Sequence, residues 1–116
     1  MGSNAIMFSW NRSVPGREQI SGQHFQEFVE YLGVQKRNGL VESFDIVLLE
    51  PHGGTVNGLF LIRGEPAKLT ELTGSPDWVR HQVRAVLHLD GASSVRGFTG
   101  AAVGERMEQW MKEIPR

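Results

Sequence analysis

Two apolar runs, residues 43–51 and 55–63, flank the dipeptide Gly53-Gly54, and this pairing constrains the fold more than anything else in the chain. Adjacent glycines supply the positive φ angles of a tight turn, so the runs read as two antiparallel strands of a hairpin. With the glycines at the turn centre, the ladder pairs Leu48 with Leu59, Ile46 with Leu61 and Phe44 with Arg63. The other face carries Val47, Leu49, Val56, Phe60 and Ile62. Both faces are mostly apolar. A sheet with helices on one side and water on the other does not tolerate this, so the second face needs a cover.

The rest of the chain supplies the layers. Residues 6–13 alternate, with Ile6, Phe8, Trp10 and Arg12 on one side and Met7, Ser9 and Asn11 on the other, which predicts a first strand. Pro15-Gly16 breaks the chain. Ser21 is then the expected cap of a helix whose Phe25, Phe28, Val29 and Leu32 keep i, i+3, i+4, i+7 spacing, and Gly39 its C′ residue. After the hairpin, Leu69 and Leu72 mark a helical segment. Ser75 and Pro76 suit the N-cap and first position of another. In that helix Trp78, Val79, Val83, Val86 and Leu87 share an apolar arc, while Arg80, His81, Arg84 and His88 lie on the remaining, polar side. Asp90-Gly91 closes it and residues 95–99 predict a fourth strand. Gly97, Gly100 and Gly104 release that strand into a last helix, whose stripe of Met107, Trp110, Met111 and Ile114 is expected to pack as core against sheet or partner.

The order βαββαβ plus a terminal helix predicts an α+β, ferredoxin-like domain: a four-stranded antiparallel sheet with two helices on one face. The extra C-terminal helix is about three turns long at ~1.5 Å per residue and shields only part of a sheet. A second copy of the chain is therefore the expected cover, giving a homodimer joined through the sheet.

At 116 residues the chain suits one hydrophobic core. Residues 1–5 read as an appended or disordered tail, and residues 6–116 as a single domain. With 12 basic and 13 acidic residues the net charge is −1, which gives no electrostatic footprint for nucleic acid or anionic lipid. There is no cysteine, which removes disulfides, thiolate nucleophiles and Cys-ligated zinc. No apolar run approaches the ~20 residues of a membrane span, and the N-terminus lacks the pattern of a signal peptide, so a cytoplasmic setting is expected.

The strand, helix, hairpin, helix layout, followed by Leu69-Thr70-Glu71-Leu72 and the helix start Ser75-Pro76-Asp77-Trp78, resembles the dimeric α/β-barrel proteins of the ferredoxin-like class. The resemblance covers nearly the whole chain and is closest to the uncharacterised members of that group. It implies a barrel formed by the sheets of two subunits, with a small pocket in each subunit between sheet and helices. It also implies a choice of activities, because the group includes cofactor-free monooxygenases acting on phenols and quinols, haem-degrading enzymes and muconolactone isomerase-like proteins.

Against that background the expected ligand-binding residues are Trp10, Arg12, Arg63 and Trp78, around a small aromatic or lipid-like molecule. A cofactor-free oxygenase would use Trp10, Asn11, Arg12, Arg63 and Trp78 to stabilise a developing anion, although Trp10 and Asn11 sit on opposite faces of a regular strand. The remaining alternative is a non-catalytic structural or regulatory dimer with a fully packed core. Arg63, placed beside Phe44, either extends to solvent past a partner such as Asp45 or Glu65, or binds an anion at a pocket mouth.

Neither metal nor haem is expected. His81 and His88 are seven residues apart, a rise of ~10 Å on a helix, too far to share one ion bound at ~2.1 Å, and neither they nor His24 and His52 form an HxxxH or HxH pair. The polar side of the helix leaves His81 and His88 at the surface or along the dimer edge. Asn11, Trp78 and His81 match the residue types of the haem-degrading relatives but not their placement, since Trp78 opens a helix where those proteins use a strand. No P-loop, GxSxG or paired-carboxylate pattern occurs, which excludes those nucleotide-binding and hydrolytic readings.

Overall fold

The computed structural model describes residues 2–115. β1 (Ala5–Trp10), β3 (Ser43–Leu48), β4 (Gly58–Arg63) and β6 (Ser93–Gly97) form one antiparallel sheet in the order β3-β4-β1-β6. The two central strands carry the most deeply buried apolar side chains of the sheet, Ile6, Phe60 and Ile62, because only they are flanked on both edges. Ile6 and Phe8 of β1 and Phe60 and Ile62 of β4 point to one face and are buried there against α1 (Glu18–Arg37), α2 (Pro66–Thr73) and α3 (Pro76–His88). Phe28 and Leu32 of α1, Leu69 and Leu72 of α2, and Trp78 and Ala85 of α3 complete this core.

Local chemistry sets several boundaries as expected. Ser75 caps α3, its Oγ accepting from the Trp78 amide at 3.3 Å, and Pro76 follows where its missing N–H costs nothing. Gly39 takes φ +83° just after α1, the left-handed conformation that ends helices. Ser21 does not cap α1. The helix begins one turn earlier, at Glu18, which turns the Ser21 hydroxyl sideways toward α3. Ala5, assigned to a tail, begins β1. Asn4 before it is tied to Thr99 by bonds of 3.0 and 2.8 Å.

The hairpin register differs by one residue from the tight-turn expectation. Leu48 faces Gly58, Ile46 faces Phe60 and Phe44 faces Ile62, while Arg63 faces Ser43. Only Gly53 of the pair has a positive φ. The last ladder bond, from the Leu49 amide to the Asn57 carbonyl at 2.9 Å, leaves a wide loop centred on that one residue. His52 braces the loop, accepting from the Gly54 amide and bonding the Val56 carbonyl through its two ring nitrogens. Because side chains alternate, the slip moves whole sets between faces. Phe44, Ile46 and Leu48 join Phe60 and Ile62 on the helix side. Val47, Leu59, Leu61 and Arg63 share the outer face with Met7 and Val95.

The first strand also ends sooner than its alternation predicts. The chain bends at Asn11, and β2 (Arg12–Ser13) pairs instead with β5 (Leu89–Asp90) at the end of α3. The largest departures concern two helices. α3 buries Trp78 as expected, but it turns His81, Ala85 and His88 inward beside it and exposes the rest of its apolar arc, Val79, Val83, Val86 and Leu87. α4 (Ala101–Lys112) does not pack its stripe on its own sheet: Met107, Trp110, Met111 and, just past the helix, Ile114 are all exposed.

Candidate functional site

Between the helix side of the sheet and α1 lies a cavity of about 310 Å³. Phe8 and Trp10 from β1, Phe60 from β4 and Phe25 and Phe28 from α1 wall it, with Leu48 at the sheet edge. The rings meet in tilted or edge-on pairs with centroids 5.1 to 6.3 Å apart, the arrangement that aromatic quadrupoles favour. Trp10 has room to lie flat because Gly58 stands opposite. A Cβ there would come within 2.4 Å of the indole.

One edge of this apolar space is polar. On α1, Ser21, His24, Phe25 and Phe28 follow i, i+3, i+4, i+7 spacing, so two polar and two aromatic groups face the same way. On α3, His81 and His88 face α1 from two turns apart. The ~10 Å between them, too long for a shared ion, has room for one imidazole and its two hydrogen bonds. His24 fills that space. Its Nδ1 lies 2.7 Å from His88 Nε2 and its Nε2 lies 3.0 Å from His81 Nδ1. The chain continues from His88 Nδ1 to Ser21 Oγ and on to Ser13 Oγ, each step 2.8 Å. His24 stacks parallel to His81, their planes 6° apart, and stands edge-on to His88.

All three rings are buried, at 4%, 5% and 3% exposure for His24, His81 and His88. Burial disfavours their charged forms, and the nearby Arg84 guanidinium, paired to Glu27, adds to the effect. His24 is lowered furthest, from 6.5 to about 4. The three imidazoles are therefore neutral near pH 7, and each has one donor and one acceptor nitrogen. Both ring nitrogens of His24 serve its neighbours. No group of three His, Cys, Asp or Glu with metal-holding geometry occurs among the described residues.

Of the four residues expected to bind a ligand, only Trp10 lines the cavity. Arg12 is exposed on β2, 3.9 Å from Asp90. Arg63 lies on the outer face of the sheet with Leu59 and Leu61, and the register slip brings Asp45 onto that face, where Arg63 Nη1 lies 2.6 Å from Asp45 Oδ2. Trp78 is buried in the core against Phe28, away from the cavity wall. Asn11 bonds the Asn57 side chain at 2.7 Å. These residues do not converge. Sequence reasoning missed Ser13, Ser21, Phe25, Gln82 and the three histidines as lining residues, and it placed His81 and His88 at the surface or along the dimer edge. The available signal was the seven-residue interval on α3, matched by a histidine on the helix that packs across it.

The strand order and the helices on one face define a ferredoxin-like α+β protein. Two solved structures share the fold. PA3566 from Pseudomonas aeruginosa superposes with a TM-score of 0.59 at 11% identity, over 87% of this chain and 98% of that one. A dimeric protein of unknown function and ferredoxin-like fold from Bacteroides fragilis superposes with a TM-score of 0.57 at 15% identity, over 84% of this chain and 94% of that one. At such identities the likeness carries the fold alone. No family model matches the sequence, and no curated protein does. Among the described residues, no helix is long and apolar enough to cross a membrane.

Proposed function

We propose that the chain acts as a homodimer, paired through the outer face of its sheet, whose cavity binds a small uncharged aromatic molecule. The observation that carries the ligand reading is the aromatic wall of Phe8, Trp10, Phe25, Phe28 and Phe60 around about 310 Å³ of space, within the size range of ligand sites. An aromatic guest repeats the ring contacts the wall already makes. The neutral histidine edge leaves no buried charge for an ionic ligand to pair with. The pairing is supported by Met7, Val47, Leu59, Leu61 and Val95 lying together on the outer face, and by the dimeric state of the Bacteroides fragilis protein.

Native mass spectrometry of freshly purified protein tests both parts, with a dimer of added mass expected. NMR titration with β-ethylnaphthalene then tests the cavity, with shifts expected at Trp10, Phe25 and Leu48. Gly22 lines the cavity and has open space around its Cβ position, so Gly22→Leu is expected to extend into the cavity and should abolish those shifts. Shifts that persist in Gly22→Leu would place the ligand elsewhere, and a monomer would overturn the pairing.

A further inference from the structure

α3 exposes four apolar side chains and buries two histidines, against the general rule of burial. Local rules broken in this way mark sites where something besides stability is served. The geometry of the buried chain restricts it further. A neutral imidazole protonated on Nε2 donates from Nε2 and accepts at Nδ1. If His81 carries its proton on Nε2, its Nδ1 accepts from His24 Nε2. His24 Nδ1 then accepts from His88 Nε2, and His88 Nδ1 accepts from Ser21. If His81 carries its proton on Nδ1, every bond reverses. The three histidines are therefore all Nε2–H or all Nδ1–H; a mixed set leaves two donors or two acceptors facing each other in a buried site.

Both senses are satisfied at the serine end, because the Ser21 and Ser13 hydroxyls rotate and have the His88 and Val14 carbonyls within 3.4 Å. Reversal moves one proton along each link. Reversal in this direction releases one proton from His81 Nε2 to solvent and takes one up from solvent at the serine end, so no ring retains a charge. The free terminus is His81 Nε2, which bonds no protein group among the described residues and belongs to a residue on the cavity wall.

We propose that His81 Nε2 is the polar anchor of the cavity ligand, an uncharged aromatic molecule bearing one oxygen function. The three-histidine chain reverses its sense to donate to a carbonyl or accept from a hydroxyl. This rests on the cavity being a ligand site. It adds that the ligand carries one hydroxyl or carbonyl group, and that Ser13, Ser21, His24 and His88 set the anchor's character through the hydrogen-bond chain.

The test uses the unmodified protein and three probes of similar shape: β-ethylnaphthalene, β-acetylnaphthalene and β-naphthol. Both oxygen compounds should bind about fivefold to tenfold more tightly than the hydrocarbon, the worth of one net hydrogen bond. Ring-nitrogen NMR, which separates protonated from bare imidazole nitrogens, should show all three buried histidines as Nε2–H with the ketone and all three as Nδ1–H with the naphthol. If the hydrocarbon binds and the oxygen compounds bind no tighter, the cavity reading stands and the anchor is overturned. If tautomers do not change between the two oxygen probes, or one histidine changes alone, the coupled chain is overturned. If none of the three probes binds, the cavity reading fails and this inference fails with it.

Discussion

His24 Nδ1 and His88 Nε2, from residues 64 apart in sequence on two different helices, meet at 2.7 Å inside the protein. That contact joins α1 to α3 through polar atoms at a place where two apolar side chains would have packed at lower desolvation cost. It makes the stability of the domain depend on the protonation state of these rings.

The first expectation concerns pH. The unfolded chain takes up a proton on His24 near 6.5, whereas the folded chain does so only near 4. Above the higher value both states are neutral and stability is flat. As pH falls toward the lower value the unfolded state binds the proton first, and the fold loses on the order of 3 kcal/mol from this group. His81 and His88, also lowered, act in the same direction. Burial is the main cause of these shifts; Arg84, Arg80 and Arg17 add to it, while Glu27 and Asp77 oppose it. Urea unfolding at neutral and mildly acid pH should show the midpoint falling through this window; an unchanged midpoint would mean the rings are not held neutral.

Gly22 stands inside α1 with nothing near its Cβ position. Gly22→Ala should therefore stabilise the protein by about 1 kcal/mol, the difference in helix propensity. Thermal melting reads this as a rise of several degrees, and a fall would show that the glycine is needed for the close approach of another group.

Gly58 has the opposite surroundings. A methyl group there meets the Trp10 indole, itself wedged among Phe8, Phe25 and Phe60. Gly58→Ala should cost about 1–3 kcal/mol through overpacking and move the indole off the cavity wall. Unfolding curves measure the first effect and the tryptophan emission maximum the second.

On the outer face Leu61 lies between Met7 and Asp45 in the ladder. Leu61→Glu puts a carboxylate at the centre of the proposed pairing surface while leaving the helix-side core untouched. Size-exclusion chromatography with light scattering should show a monomer that melts cooperatively; a dimer that survives would move the interface to another surface, such as the exposed stripe of α3.

The sequence by itself carries the order of the elements, because each rests on local rules. Alternation marks β1, a serine–proline pair starts α3, and a glycine beyond the last turn ends α1. The split βαβ order and the antiparallel sheet follow from these with few alternatives left. The face that α3 buries is not local information. Its valines and leucine form a sound apolar arc, and only the position of α1, whose His24 fits between His81 and His88, turns the histidines inward. The hairpin register escaped for a related reason, since Gly53-Gly54 permits a two-residue turn but the bracing of the loop by His52 and the Leu49–Asn57 bond selects a wider one. Sequence patterns report what each segment can bury. The packing of segments distant in the chain decides what it does bury, and here that packing assembled the cavity and its histidine edge.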